Sequence, residues 1–236
     1  MKASIMNSKW NKRITVFYRS WCFSFIIAML IATSFKSAIA DWNDIPTGSM
    51  IPTILIGDRV LVNKLAYDLK IPYTTYHLAQ WANPKRGDII VFYSPEDGKR
   101  LIKRVIGIPG DTVAMDQNRL YINGQFVKYE HLNQEVVDQL DPEQQRSHVF
   151  FKENLPGKQH AIMLSQTKPS LNTFAPIKIP NGQYFMLGDN RDNSGDSRFF
   201  GFVERKRIVG RSTKVGISRK GSFLHPRWNR FLNDLT

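Results

Sequence analysis

The stretch Pro46-Thr47-Gly48-Ser49-Met50-Ile51-Pro52-Thr53 arranges backbone around a single side chain. A glycine precedes Ser49, prolines flank it at Pro46 and Pro52, and a second hydroxyl, Thr47, lies two residues upstream. This is how a nucleophilic serine is presented. A serine attacks a carbonyl only when a neutral base within hydrogen-bond reach takes its proton. The histidines, His77, His131, His148, His160 and His225, are scattered, and none sits in a stretch resembling a histidine-base signature. The alternative base is a lysine whose pKa burial has lowered, as in Ser-Lys variants of the triad. Lys103 interrupts the otherwise apolar run Leu101-Ile102-Lys103-Arg104-Val105-Ile106 and is the candidate. Adjacent strand residues face opposite ways, so one of the two cations Lys103 and Arg104 must turn inward. The backbone N–H of Ser49 is a candidate donor to the oxyanion that attack would create.

Four segments in order carry a resemblance to a family. Ser49 to Thr53, Arg86-Gly87-Asp88-Ile89-Ile90-Val91-Phe92, Lys103 to Asp111, and Gly188-Asp189-Asn190-Arg191-Asp192-Asn193-Ser194-Gly195-Asp196-Ser197-Arg198 resemble the ordered boxes of bacterial type I signal peptidases of serine peptidase family S26. The resemblance spans roughly residues 42 to 215. It implies a Ser49 nucleophile, a Lys103 general base and the Thr47 hydroxyl as second oxyanion donor. It also implies that Ser194 orients the lysine amine, that Gly188 packs closely at the site, and that Asp196 pairs with Arg198 nearby, with Arg104 as a supporting residue. The substrates implied are exported preproteins, cut after small residues at the first and third positions before the scissile bond. A phospholipid membrane and the protein export channel are the implied neighbours.

Asp189, Asp192 and Asp196 invite a metal reading, but Arg191 and Arg198 stand among them and no bidentate glutamate closes the loop, so ion pairing fits better. No Cys or His spacing suits zinc, and no glycine-rich loop opens a helix to hold phosphate. The chemistry requires no cofactor.

The elements that must hold these residues read mainly as β-strands. Asp58 to Leu65 alternates, Ile89 to Tyr93 is an apolar run, and Arg100 to Ile108 ends at Pro109-Gly110. Thr112 to Met115, Arg119 to Ile122 and Gln125 to Val127 are separated by Asp116-Gln117-Asn118 and Asn123-Gly124, which predict hairpins. Gln183 to Leu187 leads into the Gly188 loop, and Arg207 to Ile217 gives a last strand. Residues 128–175 are polar and read as an irregular insertion or small β subdomain of low functional content. The expectation is a mainly β, signal-peptidase-like catalytic domain over 41–236, preceded by one transmembrane helix.

That helix is read over 20–40. Residues 1–19 carry Lys2, Lys9, Lys12, Arg13 and Arg19 and no acid, and form a basic cytoplasmic segment; Ser20 to Phe35 is uncharged, and Trp21 to Ala40 is about long enough to cross a bilayer if Lys36 reaches outward. The charge bias puts the amino terminus inside and the catalytic domain on the extracytoplasmic side of a bacterial inner membrane. Ser37-Ala38-Ile39-Ala40 also resembles a signal-peptide cleavage site. Trp42, suited to an interface, and the short tether from Ala40 to Ser49, at most about 30 Å, favour a retained anchor. Cys22 excludes an internal disulfide, being the one cysteine, and is expected to pack.

The formal charge is +13, and nine basic residues lie between Val203 and Arg230 against one acid, Glu204. On an anchored chain this reads as attraction to anionic headgroups or as a solvated surface, and not as nucleic-acid binding. Three other readings differ in class. A peptidase dedicated to one pilin or secretion substrate is compatible with the same boxes. A self-cleaving repressor would need a DNA-binding segment where this chain has its apolar run. An anchored β adaptor of an envelope assembly would leave the serine and lysine boxes without a purpose.

Overall fold

The computed structural model describes residues 20–30, 32–33, 39–71, 74, 76–168, 170–220 and 225–235; the basic residues 1–19 and the Ser37-Ala38 pair lie outside the described residues. Its strands are β1 Ala40–Asp44, β2 Asp58–Asn63, β3 Asp68–Lys70, β4 His77–Gln80, β5 Ile89–Tyr93, β6 Arg100–Gly107, β7 Thr112–Asp116 and β8 Arg119–Ile122. They continue with β9 Gln125–Phe126, β10 Lys128–His131, β11 His148–Leu155, β12 Lys158–Ser165, β13 Phe174–Lys178, β14 Gln183–Leu187, β15 Val203–Glu204 and β16 Ile208–Ser218.

A seven-stranded sheet in the order β1-β2-β16-β5-β6-β14-β15, antiparallel at every step, carries the molecule. Its middle is covered on both faces, which is why β5 reads as a continuous apolar run and not as an alternation. Ile89 and Val91 pack with Met50, Ile54, Val60 and Val62, while Ile90 and Phe92 pack with Val105, Met186 and Ile208. The chain leaves β6 at Gly107 and enters a four-stranded sheet, β13-β7-β8-β9. There Asn123 and Gly124 both take positive φ, 53° and 77°, as a two-residue turn of matching twist demands, which explains the Asn-Gly pair. Phe185 of β14 fills the space between the two sheets, with Ile106, Val113, Leu120 and Ile179 around it.

Three expectations about elements change. Ala40, counted as the end of the anchor, opens β1 and pairs with Asn63, so half of the segment read as a tether is a strand. Strand pairing satisfies backbone groups that a free tether would leave to water. Of the two readings of residues 128–175 the small β subdomain is the one seen, β10, β11 and β12 forming their own three-stranded sheet, but its end moves, since residue 175 falls inside β13. The alternation of β11 and β12 escapes notice because Glu153 and His160 occupy buried positions where apolar residues would ordinarily stand. Finally, two members of the basic run are not surface charges. Arg205 is buried against Asp68 and Arg230 against Asp58, each at 2.7 Å.

Residues 20–30 and 32–33 are helical. Among the described residues no helix is long and apolar enough to cross a membrane. Trp21, Phe23, Phe25, Ile26, Met29 and Leu30 are exposed on it, as is Cys22, which makes no packing core of its own.

Phe185→Ala should lower unfolding stability by about 3–5 kcal/mol, the scale for truncating a buried aromatic side chain. A denaturant-unfolding midpoint measures this, and a loss under about 1 kcal/mol would mean that the two sheets do not share this core.

Candidate active site

Ser49 stands at the start of a tight run of turns. Ile51 N–H donates to the Gly48 carbonyl at 3.2 Å and Ile54 N–H to the Met50 carbonyl at 2.9 Å. Met50 and Ile54 are fully buried beneath, so the apolar residues that follow the serine pull the turn onto the sheet while Ser49 faces Lys103. Lys103 lies in the middle of β6, paired with Ile90. Its Nζ is 2.7 Å from Ser49 Oγ and 3.1 Å from the Ile102 carbonyl.

Lys103 is only 3% exposed. Among the described residues it forms no salt bridge, so no carboxylate in contact stabilises its charged form. Burial therefore lowers its pKa to about 8, even though the more distant carboxylates of Asp196 and Asp189 act in the opposite sense. Burial thus brings the titration of this amine closer to neutral pH than that of a solvated lysine, at hydrogen-bond distance from the serine hydroxyl.

Arg104, its neighbour, is buried too, at 0% exposure. The expectation that one of the two adjacent cations turns inward is met twice over, since both are buried in a strand covered on both sides. Arg104 differs from Lys103 in having a full partner. Its Nε and Nη2 reach Asp189 Oδ1 and Oδ2 at 2.8 and 2.7 Å, and its Nη1 donates to the Gly87 carbonyl at 2.8 Å. Thr53 Oγ1 donates to the same Asp189 carboxylate at 2.5 Å. Burial drives the Asp189 pKa up, and Arg104 more than offsets this, leaving it below the usual carboxylate range.

The loop after β14 closes the site. Asn190 N–H donates to the Ser49 carbonyl and Asn190 Nδ2 to the Gly48 carbonyl, both at 3.1 Å. Gly188 has no side chain because none fits: a Cβ there would lie 2.3 Å from Ser194 Oγ and 2.5 Å from the Ser49 carbonyl oxygen. Asp196 accepts from Gly188 N–H at 3.1 Å and from Arg198 Nε and Nη2 at 2.8 and 2.9 Å. Asp192, grouped with Asp189 and Asp196 in the sequence, instead accepts from the backbone of Ser165 and Ser170. Ser194 is buried beside Gly188, and its hydroxyl has no hydrogen bond among the described residues, so no bond to Lys103 is made. Thr47 is exposed two residues before Ser49.

Sequence reasoning passed over a second set of residues from the middle of the chain. Glu153 Oε2 lies 2.6 Å from Arg191 Nη2 and 3.2 Å from His160 Nε2, and Arg191 Nε donates to the Gly188 carbonyl at 3.2 Å. All three side chains are fully out of water. Burial and the nearby Arg104 lower the His160 pKa, so the imidazole stays neutral. The one signal available was the polar pair Glu153 and His160 placed within two otherwise β-rich stretches.

The protein-family model described as "Signal peptidase, peptidase S26" matches residues 18–216. A Signal peptidase I of Pseudomonas aeruginosa is 36% identical over 207 residues, covering 83% of this chain and 71% of that protein. A Signal peptidase I of Buchnera aphidicola (subsp. Schizaphis graminum) is 33% identical over 236 residues, covering 84% and 76%. A solved signal peptidase I from Enterococcus faecalis is 33% identical, covers 55% of this chain and 97% of that one, and superposes at a TM-score of 0.35.

Gly188→Ala should slow modification of Ser49 by a serine-directed phosphonofluoridate by about a hundredfold, the scale for a 1 Å misplacement of reacting groups. An unchanged labelling rate in a folded Gly188→Ala protein would show that the glycine contact does not set the position of Ser49.

Proposed function

The chain belongs to peptidase family S26, the signal peptidases, and on that premise we propose that it removes signal peptides from exported preproteins with a Ser49/Lys103 dyad. The observation that carries the assignment is the 2.7 Å approach of a buried lysine amine, free of any carboxylate contact, to the Ser49 hydroxyl. Neutral Lys103 accepts the Ser49 proton as Oγ attacks the scissile carbonyl. The proton then passes from Lys103 to the departing amine, leaving an acyl-serine, and a water deprotonated by the same lysine releases the signal peptide's new carboxylate. The Ser49 N–H and the Thr47 hydroxyl hold the oxyanion of each tetrahedral intermediate. An exposed hydroxyl on the turn that carries the nucleophile supports the Thr47 role. Ser194, buried with its hydroxyl unspent, orients the Lys103 amine once the proton has moved. Arg104, Gly188, Asp196 and Arg198 support the geometry.

The substrate lies extended against a sheet edge, with small residues before the cut. The same reading sets the helical residues 20–30 and 32–33 in the bacterial inner membrane. Their exposed aromatic and aliphatic side chains would be covered there by lipid, with Ser49 on the extracytoplasmic side near the export channel.

Cleavage of a preprotein should rise with pH through about 8, because only neutral Lys103 can accept the proton and about a tenth of it is neutral at pH 7. Lys103→Arg keeps the charge but cannot be deprotonated, so it should be as inactive as Lys103→Ala. An arginine variant with substantial activity would remove Lys103 from the base role.

Thr47→Val deletes the hydroxyl at nearly constant volume and should cut kcat by about a hundredfold or more, with little change in KM, whereas Thr47→Ser should stay active. Equal activity of the two variants in steady-state kinetics would return Thr47 to a packing role.

A further inference from the structure

The family match ends at residue 216, yet residues 225–235 are built into the back of the serine turn. This segment runs along β16: Arg227 N–H donates to the Ser218 carbonyl, Val215 N–H to the Asn233 carbonyl and Leu235 N–H to the Thr213 carbonyl. Leu235 is buried in the same apolar cluster as Met50 and Ile54. Trp228 to Arg230 form a short turn of helix that delivers Arg230 inward, where it is 7% exposed. Its Nη2 donates to the Thr53 carbonyl at 2.9 Å and to Asp58 Oδ2 at 2.7 Å, and its Nη1 donates to Gln139 Oε1 at 3.1 Å. Asp58 Oδ2 also accepts from Leu55 N–H at 2.9 Å.

These bonds close a ladder. Gly48 accepts from Ile51, Met50 from Ile54, Thr53 from Arg230, and Asp58 from both Leu55 and Arg230. Ser49 occupies the first turn of that ladder. Thr53 is held twice, its hydroxyl by Asp189 beside Arg104 and its carbonyl by Arg230 from the opposite end of the chain. A buried guanidinium suits this task, since its rigid fork serves a carbonyl, a carboxylate and an amide at fixed angles.

We propose that Arg230 is a positioning residue for the nucleophile: it fixes the Thr53–Asp58 end of the serine turn, and so keeps Ser49 seated on a dry Lys103. The proposal rests on the dyad reading above. Loss of Arg230 loosens the turn, admits water to the lysine amine, and lets its pKa climb back toward the ordinary lysine range.

The test compares the parent with Arg230→Gln, with Arg230→Lys, and with an Asp58→Asn/Arg230→Gln double variant that removes both charges of this buried pair together, leaving Arg227, 3.8 Å from Asp58, with its own bonds to the Ile56 carbonyl and Ser218. Three readouts are taken on the full chain: amide hydrogen exchange at Ile54 and Leu55, NMR titration of the Lys103 amine, and preprotein cleavage per Ser49 labelled by a phosphonofluoridate. In the double variant, faster exchange, a higher Lys103 midpoint and a kcat per labelled site about tenfold or more lower at similar KM are expected, with partial recovery in Arg230→Lys. A fall in thermal stability alone, with the Lys103 midpoint and the kcat per labelled site of the parent, would overturn the positioning role. A parent that cleaves no preprotein while the Lys103 midpoint still shifts with Arg230 would sink the substrate reading and leave the positioning role standing.

Discussion

Lys103 sits in an apolar sheet with a serine hydroxyl and a backbone carbonyl as its near neighbours, and everything around it is arranged so that no carboxylate comes closer. An ammonium in that setting lacks both water and a counter-ion, and the lowering of its pKa to about 8 corresponds to a penalty on the order of 3 kcal/mol against the charged form. The fold can bear this because the other buried cations are paired. Arg104, one residue along the same strand, has both oxygens of Asp189; Arg191 has Glu153; Arg198 has Asp196; Arg230 has Asp58. Among the described residues, the contrast between a buried lysine without a carboxylate contact and buried arginines that each have one is the electrostatic design of the site.

The pairs also do mechanical work. Asp189, Arg191 and Asp196 all belong to the loop that follows β14; the first two are gripped from β6 and β11, and Asp196 pairs within the loop with Arg198. The loop in turn donates to the carbonyls of Gly48 and Ser49. Breaking a buried pair leaves a lone charge and typically costs about 3–5 kcal/mol, so the loop has few alternative positions. Gly188 then sets how near it comes, since even a methyl group would meet the Ser49 carbonyl. Rigidity here comes from charge pairing on one side of the serine and apolar packing of Met50 and Ile54 on the other.

The parts of this arrangement that could be read from the chain alone are the contiguous ones. Ser49 with its flanking glycine and prolines, Lys103 within its apolar run and the Gly188 to Arg198 loop each declare themselves within a dozen residues, and the Asn123-Gly124 turn announced its hairpin. Burial of both Lys103 and Arg104 was not legible, because alternation tells which face a residue takes but not whether that face is covered. Glu153 and His160 were hidden for a related reason: as buried polar residues they broke the period that would have revealed β11 and β12, and their partner Arg191 is 38 positions from Glu153. β1 was masked by the apolar run that precedes it. Arg230 looked like one charge among many, since its meaning depends on Thr53 and Asp58, far away in sequence.

The central claim is that one buried amine, by giving up its proton near pH 8, arms one serine. Titrating the side-chain nitrogen of Lys103 by NMR while following the rate of Ser49 acylation by a phosphonofluoridate in the same preparation tests it most directly. The two curves should share a midpoint near 8, and Ser49→Ala should leave the lysine titrating well below the ordinary range. A Lys103 that titrates above about 10, as a solvated lysine does, or an acylation rate that rises at a pH where the lysine does not titrate, would contradict it.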